Sequence, residues 1–132
     1  MKESIKKNDT ESRYDLENRL IDFASRILDV AESLPHHIIG KHLCQQIARS
    51  GTSPALNYGE AQSAESRADF IHKMKIALKE LRETMIRLQI ISRRHYFNDN
   101  RLNSILIENN ALISIFVKSI ATAQNNNVNS RK

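Results

Sequence analysis

Apolar side chains recur at three- and four-residue steps in four separate stretches of this chain, the spacing of helices that each bury one face. In the first stretch Leu16, Leu20, Phe23, Ala24, Ile27, Leu28 and Ala31 share a side, predicting a helix from near Arg13 to about Ser33. Leu34-Pro35 ends it, because the residue before proline avoids the α region. A second helix starts near His36–His37 and turns Ile39, Leu43, Gln46, Ile47 and Ser50 inward. Read alone, it stops at Gly51, since Pro54 inside a helix would remove a backbone bond and cost about 3 kcal/mol. A kinked continuation to about Gln62 is the alternative. Ser63 and Ser66 are both possible N-caps of a third helix; Ser66 has Asp69 at the third position, a relative of the capping box. That helix runs to about Arg94, with Phe70, Met74, Ala77, Leu81, Thr84, Leu88 and Ile91 as its seam. Glu83 and Arg87 form a favourable i, i+4 pair upon it. After a turn at His95–Asn100, with Asp99 as cap, Leu102, Ile105, Asn109, Leu112, Phe116 and Ile120 define a fourth helix to about Ala123. Short connections between successive helices imply an all-α, antiparallel up-down four-helix bundle over 13–123. The polar segments 1–12 and 124–132 read as a disordered arm and tail.

A chain of 132 residues makes one domain with a real core. Only three Gly and two Pro fit long helices rather than hairpins. The single cysteine, Cys44, cannot form an internal disulfide and reads as a small buried hydrophobe in a reducing compartment. The first ten residues carry no apolar core of a secretory signal, and no uninterrupted apolar run approaches the ~18 residues of a membrane span. The expectation is a cytoplasmic protein with no membrane partner.

The net charge of +5 is unevenly spread. Residues 1–34 carry six Lys/Arg against eight Asp/Glu, whereas residues 67–101 carry nine against four. Lys75, Lys79, Arg82 and Arg93 fall within about 60° of one another on the third helix, and Arg94 and Arg101 extend the patch at its end. Such a stripe neutralises phosphates and binds RNA or DNA in a salt-dependent, largely sequence-blind way. It lacks interleaved aromatics that would stack bases; Tyr96 and Phe97 stand near its end only. A merely solvated helix face is the alternative. Apolar residues also stand off the seams: Ile76, Ile86 and Ile90 on the third helix, Ile107, Ile115 and Val117 on the fourth. A second apolar face implies a second partner, so these six are the candidate interface of a homo-oligomer.

Catalytic signals are weak. The five histidines include no Glu-x-x-His pair of a di-metal bundle, and Asp69 and His72 point away from the seam, so neither a metal nor another cofactor is expected. His42 and Cys44 point apart, and no nucleophile elbow or Gly-rich phosphate loop is present. Arg67–His72 spells R-x4-H, which resembles the motif of the helical HEPN ribonucleases, and leaves a ribonuclease as a remote alternative.

The segment from Gln45 to Ala61, with Arg49, Ser50, Thr52, Ser53, Asn57 and Glu60, resembles the pattern Q-L-x-R-S-x-T-S-x-x-x-N-x-x-E-A. Ser66-x-x-Asp69-Phe70-Ile71-His72-Lys73 and Ile76–Thr84 continue the likeness. The family so resembled, over about residues 20–123, is the four-helix-bundle family of proteins encoded in intervening sequences of bacterial 23S ribosomal RNA genes. The resemblance implies a left-handed antiparallel bundle, a second helix running kinked through Pro54, and assembly into a ring, commonly a homopentamer. Relatives include accessory proteins of diversity-generating retroelements that bind nucleic acid and a reverse transcriptase. Arg49, Ser50, Asn57 and Glu60 hold the signature positions, expected first as polar links between helices and second as a functional surface. The combined expectation is a non-enzymatic, basic, oligomeric scaffold that binds RNA or DNA. A protein-interaction scaffold without nucleic-acid binding is the alternative.

Overall fold

The computed structural model describes the backbone of residues 3–98 and 100–130 and the side chains of 15–98 and 100–126. It contains four helices, α1 (Glu3–Glu32), α2 (Ile38–Gln62), α3 (Arg67–Arg93) and α4 (Asn103–Ser130). Among the described residues each helix packs on its chain neighbours, α4 closes against α1, and the backbones of the diagonal pairs stay apart. This is the up-down bundle that short connections between antiparallel helices impose. The cap expected at Asp99 lies outside the described residues, as do the side chains of 1–12 and most of those of 124–132.

The inward stripes form one core. Leu20, Phe23, Ile27 and Ala31 of α1 meet Ile47, Tyr58 and Ala61 of α2, Met74, Ala77, Leu81, Leu88 and Ile91 of α3, and Leu102, Ile105, Leu112, Phe116 and Ile120 from the α4 side. Burying each of the larger side chains stabilises the fold by about 1.5–3 kcal/mol. Tyr58 and Phe116 meet edge to face, with centroids 6.1 Å apart. Two residues expected inside are not: Leu28 is 39% and Ile39 51% exposed. Leu28 falls to the flank of its stripe, and Ile39 sits in the first turn of α2, beyond the end of the core.

The helix ends have local causes. Ser33 and Leu34 donate to the carbonyls of Val30 and Ala31, closing the last turn of α1 before Pro35. His37 caps α2 by accepting the Gly40 N–H at Nδ1, 3.1 Å away. Ser66 caps α3 through a 3.1 Å bond from the Asp69 N–H. Arg94 ends that helix, and His95 follows in a left-handed conformation at φ 57°.

Helix α2 does not stop at Gly51; it continues through Pro54 to Gln62. Pro54 is buried, so the apolar ring fills space that a broken helix would leave empty. The Thr52 hydroxyl donates to the Ala48 carbonyl (2.8 Å), and Asn57 donates to the Ser53 carbonyl and hydroxyl (3.0 and 2.9 Å). These side-chain bonds flank the proline and hold the backbone where its own ladder is interrupted. Gly51 is an interhelical contact rather than a stop. A Cβ there would lie 2.4–2.9 Å from the Ile27 side chain of α1.

Within Asn103–Asn126 an 18-residue window of α4 reaches a mean hydropathy of 1.3, enough in length and composition to cross a membrane. No uninterrupted apolar run marks it, because Asn, Ser, Glu and Lys punctuate the segment. In the bundle its inward residues are core, and Asn109 sits among them, donating to the Leu81 carbonyl at 3.1 Å.

Two of the three α2 glycines, Gly51 and Gly59, should respond oppositely to alanine. Gly51→Ala should destabilise by about 1–3 kcal/mol through overpacking against Ile27. A methyl group at Gly59 would meet nothing within 4 Å, so Gly59→Ala should stabilise by about 0.5–1 kcal/mol. Urea unfolding of both variants checks the pair; equal effects would contradict the close α1–α2 approach.

Candidate functional site

Three of the four signature residues join α2 to α3. Arg49 Nη1 lies 3.3 Å from both carboxylate oxygens of Glu80, and Nη2 lies 3.7 Å from Glu83. Glu83 also meets Arg87 at 3.5 Å, the i, i+4 pair expected from sequence. The buried hydroxyls of Ser50 and Thr84 are 2.9 Å apart, and Thr84 Oγ1 is 2.8 Å from the Glu80 carbonyl. Glu60 meets Lys73 at 2.9 Å. The Glu60 carboxylate raises the Lys73 pKa, first by its hydrogen bond and then by its charge. Asn57 bonds within its own helix. On the opposite seam Arg19 of α1 grips Glu108 of α4 with two bonds, 3.1 and 2.6 Å, and the hydrogen bond to Glu108 raises the Arg19 pKa. These groups are engaged with one another across helix seams, as structural links are.

The α3 cations behave differently. Lys75, Lys79, Arg82, Arg93 and Arg94 are all exposed. Among the described residues none of them has a carboxylate within 4.0 Å. From Lys75 to Arg93 the row extends about 27 Å at helical rise. Ile86 (57% exposed) and Ile90 (47%) lie in the same strip: Ile86 follows Arg82 by four residues, and Ile90 follows Ile86 by four. The basic stripe and the apolar second face of α3, separate in the sequence reading, are therefore one surface.

The remaining interface candidates divide. Ile107 (71% exposed) and Val117 (43%) stand outward on α4. Ile76 and Ile115 are half-buried. Ile76 lies at the edge of the α2–α3 seam, and Ile115 lines a cleft between α1 and α4 with Leu16, Arg19 and Asp22. Side chains of the bundle itself partly cover both. Ile21, Ile38 and Leu56 are also exposed, outside the six expected positions.

At the end of the bundle where α3 stops, two arginines rest on aromatic rings. The Arg94 guanidinium carbon is 5.6 Å from the Tyr96 centroid, and its Nε donates to Tyr96 Oη at 3.3 Å. Arg101 lies 4.8 Å from the Phe97 centroid and donates to Ser33 Oγ at 3.3 Å. His37 meets Tyr96 edge-on at 6.1 Å. The sequence placed Tyr96 and Phe97 near the stripe; the local turn over 94–101 brings Arg94 to the Tyr96 ring and Arg101 to the Phe97 ring.

The R-x4-H pair does not come together. Arg67 and His72, five residues apart on one helix, face about 140° apart and do not converge. Among the described residues no group of three or more His, Cys, Asp or Glu gathers as for a metal ion. A cleft of about 750 Å³ at the start of α3 has Tyr58, Glu65, Ser66, Arg67 and Phe70 in its lining.

The profile of the 23S rRNA-intervening sequence proteins matches residues 13–118. A crystal structure of a Bacteroides thetaiotaomicron protein of unknown function from the S23 ribosomal protein family is 33% identical, with a TM-score of 0.76, over 83% of this chain and 97% of that one. No functionally curated protein shows significant similarity. Neither description names a catalytic activity.

The free stripe and the engaged seam should separate in stability measurements. Lys75→Glu with Lys79→Glu should shift unfolding by no more than about 0.5 kcal/mol per site, because no internal partner is lost. Glu80→Ala, which removes the nearer of Arg49's two carboxylates, should cost about 1 kcal/mol. Denaturant titration of the two variants decides whether the α3 cations serve the fold.

Proposed function

The chain belongs to the 23S rRNA-intervening sequence protein family, and from that premise we propose that it is a non-enzymatic, self-assembling basic scaffold that binds RNA or DNA along α3. The observation that carries this reading is the row of exposed cations with no carboxylate partner, Lys75, Lys79, Arg82 and Arg93, ending at Arg94. Folding engages the other cations of this region internally: Arg49 with Glu80, Lys73 with Glu60 and Arg87 with Glu83. A row left free is available to phosphates, whose released counterions drive binding. The exposed acids Asp15, Glu17 and Asp22 lie on α1, diagonally across the bundle, where they would not repel a polyanion on α3.

Self-assembly is the second element, and the outer face of α4 supports it. Ile107, Val117, Asn110, Ser114 and Ala121 are exposed there, with Lys118 as the one nearby charge among the described residues. A long, nearly uncharged face with outward aliphatics suits a second copy of the chain, in the ring that the family resemblance implies. This arrangement leaves α3 to the nucleic acid. The alternative, a protein-interaction scaffold without nucleic-acid binding, would instead draw on Ile86 and Ile90 within the stripe.

Binding to single-stranded RNA should weaken steeply with salt, with a log–log slope of about −0.7 for each phosphate neutralised. Lys75→Ala with Lys79→Ala should make that slope shallower by about 1.4. Fluorescence anisotropy across a salt series measures both, and unmeasurable binding at low salt would end the nucleic-acid reading. For assembly, Ile107→Lys should lower the mass seen by light scattering while helicity stays unchanged. Ile86→Lys doing so instead would favour the scaffold alternative.

A further inference from the structure

We infer that the loop end of the bundle, where α3 delivers its stripe, is a site for single-stranded nucleic acid that reads bases by stacking; this rests on the nucleic-acid reading above and adds the class of strand. The segments 33–37 and 94–102 lie side by side here, as the His37–Tyr96 and Arg101–Ser33 contacts show. Arg93 belongs to the stripe, and Arg94 is the next residue. The left-handed turn at His95 lets Tyr96 fold back to Arg94 while it also reaches His37.

Two features separate this end from a plain basic patch. First, Tyr96 and Phe97 are only half-buried, and each carries an arginine against its ring, at 5.6 and 4.8 Å. Unpaired bases stack on aromatic rings and on guanidinium planes alike, and an arginine already held by a ring loses less freedom on binding. Second, cations outnumber carboxylates here. Lys41, Arg93, Arg94 and Arg101 are exposed and, among the described residues, have no carboxylate within 4.0 Å. The exposed His36, His37 and His95 stand with them. Facing them from α1 are Asp29 and Glu32. Phosphates would be held by the cations and bases by the stacked pairs. A duplex keeps its bases inside and can use only the charge, so stacking favours the single strand.

A plainer role for the rings is to cover the end of the core, since both pack against it. The test separates the two. Anisotropy titrations would use a labelled, unstructured RNA of about 12 nucleotides, alone and annealed to its complement, at low salt. The expected result is about 10-fold tighter binding of the single strand. Arg94→Lys with Arg101→Lys keeps the charge and loses the planar stack; the preference should fall below about 2-fold with duplex affinity unchanged. Lys75→Glu with Lys79→Glu should weaken both RNAs together. Equal affinities for the two RNAs in the parent protein, or a lysine variant that keeps the preference, overturns this site alone. No binding of either RNA overturns the proposed function with it. Circular dichroism melts confirm that each variant folds.

Discussion

The bundle hinges on two adjacent residues of α2. Gly51 has no side chain, and the Ile27 side chain of α1 occupies the place where one would be. Ser50, one residue earlier, is buried with its hydroxyl 2.9 Å from Thr84 of α3. A single step of α2 thus sets how near α1 can come and how α3 lies in register. An apolar core alone fixes burial but tolerates sliding, since aliphatic surfaces are non-directional. The hydroxyl pair, and the Asn109 bond to the Leu81 carbonyl, add direction inside that core. Asn109 Oδ1 has no protein partner among the described residues.

Around that core the charges sort by helix. Exposed carboxylates cluster on α1, and free cations on α3 at the opposite corner. The α2–α3 seam consumes the charges that lie between them, and α4 presents little charge outward. A bundle built this way has distinct sides although its fold is nearly symmetric. The family signature lies largely on the consumed set, which explains why a strong sequence likeness reveals the fold more readily than the ligand.

Periodicity made the inner faces legible almost residue by residue. All six expected α4 core positions are buried, and so are six of the seven on α3, Phe70 being partly covered. The errors came where local rules meet tertiary compensation. Pro54 reads as a stop on its backbone cost, yet buried packing of its ring and flanking side-chain bonds keep the helix going. The residues off the seams were harder. Ile86 and Ile115 look equivalent on a helical wheel, but Ile115 has α1 beside it and Ile86 stands open. The signature residue Arg49 reads as a charge in sequence and becomes a cross-link only once Glu80 is brought against it from another helix.

By itself the sequence determined four helices and the faces they hide, because burying aliphatic side chains every three or four residues leaves a helical chain of this length few compact arrangements. The cap at Ser66 was equally local. Which cations remain free and which isoleucines stay uncovered were decided by tertiary structure alone. Those outcomes depend on what a neighbouring helix places within a few ångströms, and no spacing along one chain segment encodes that distance.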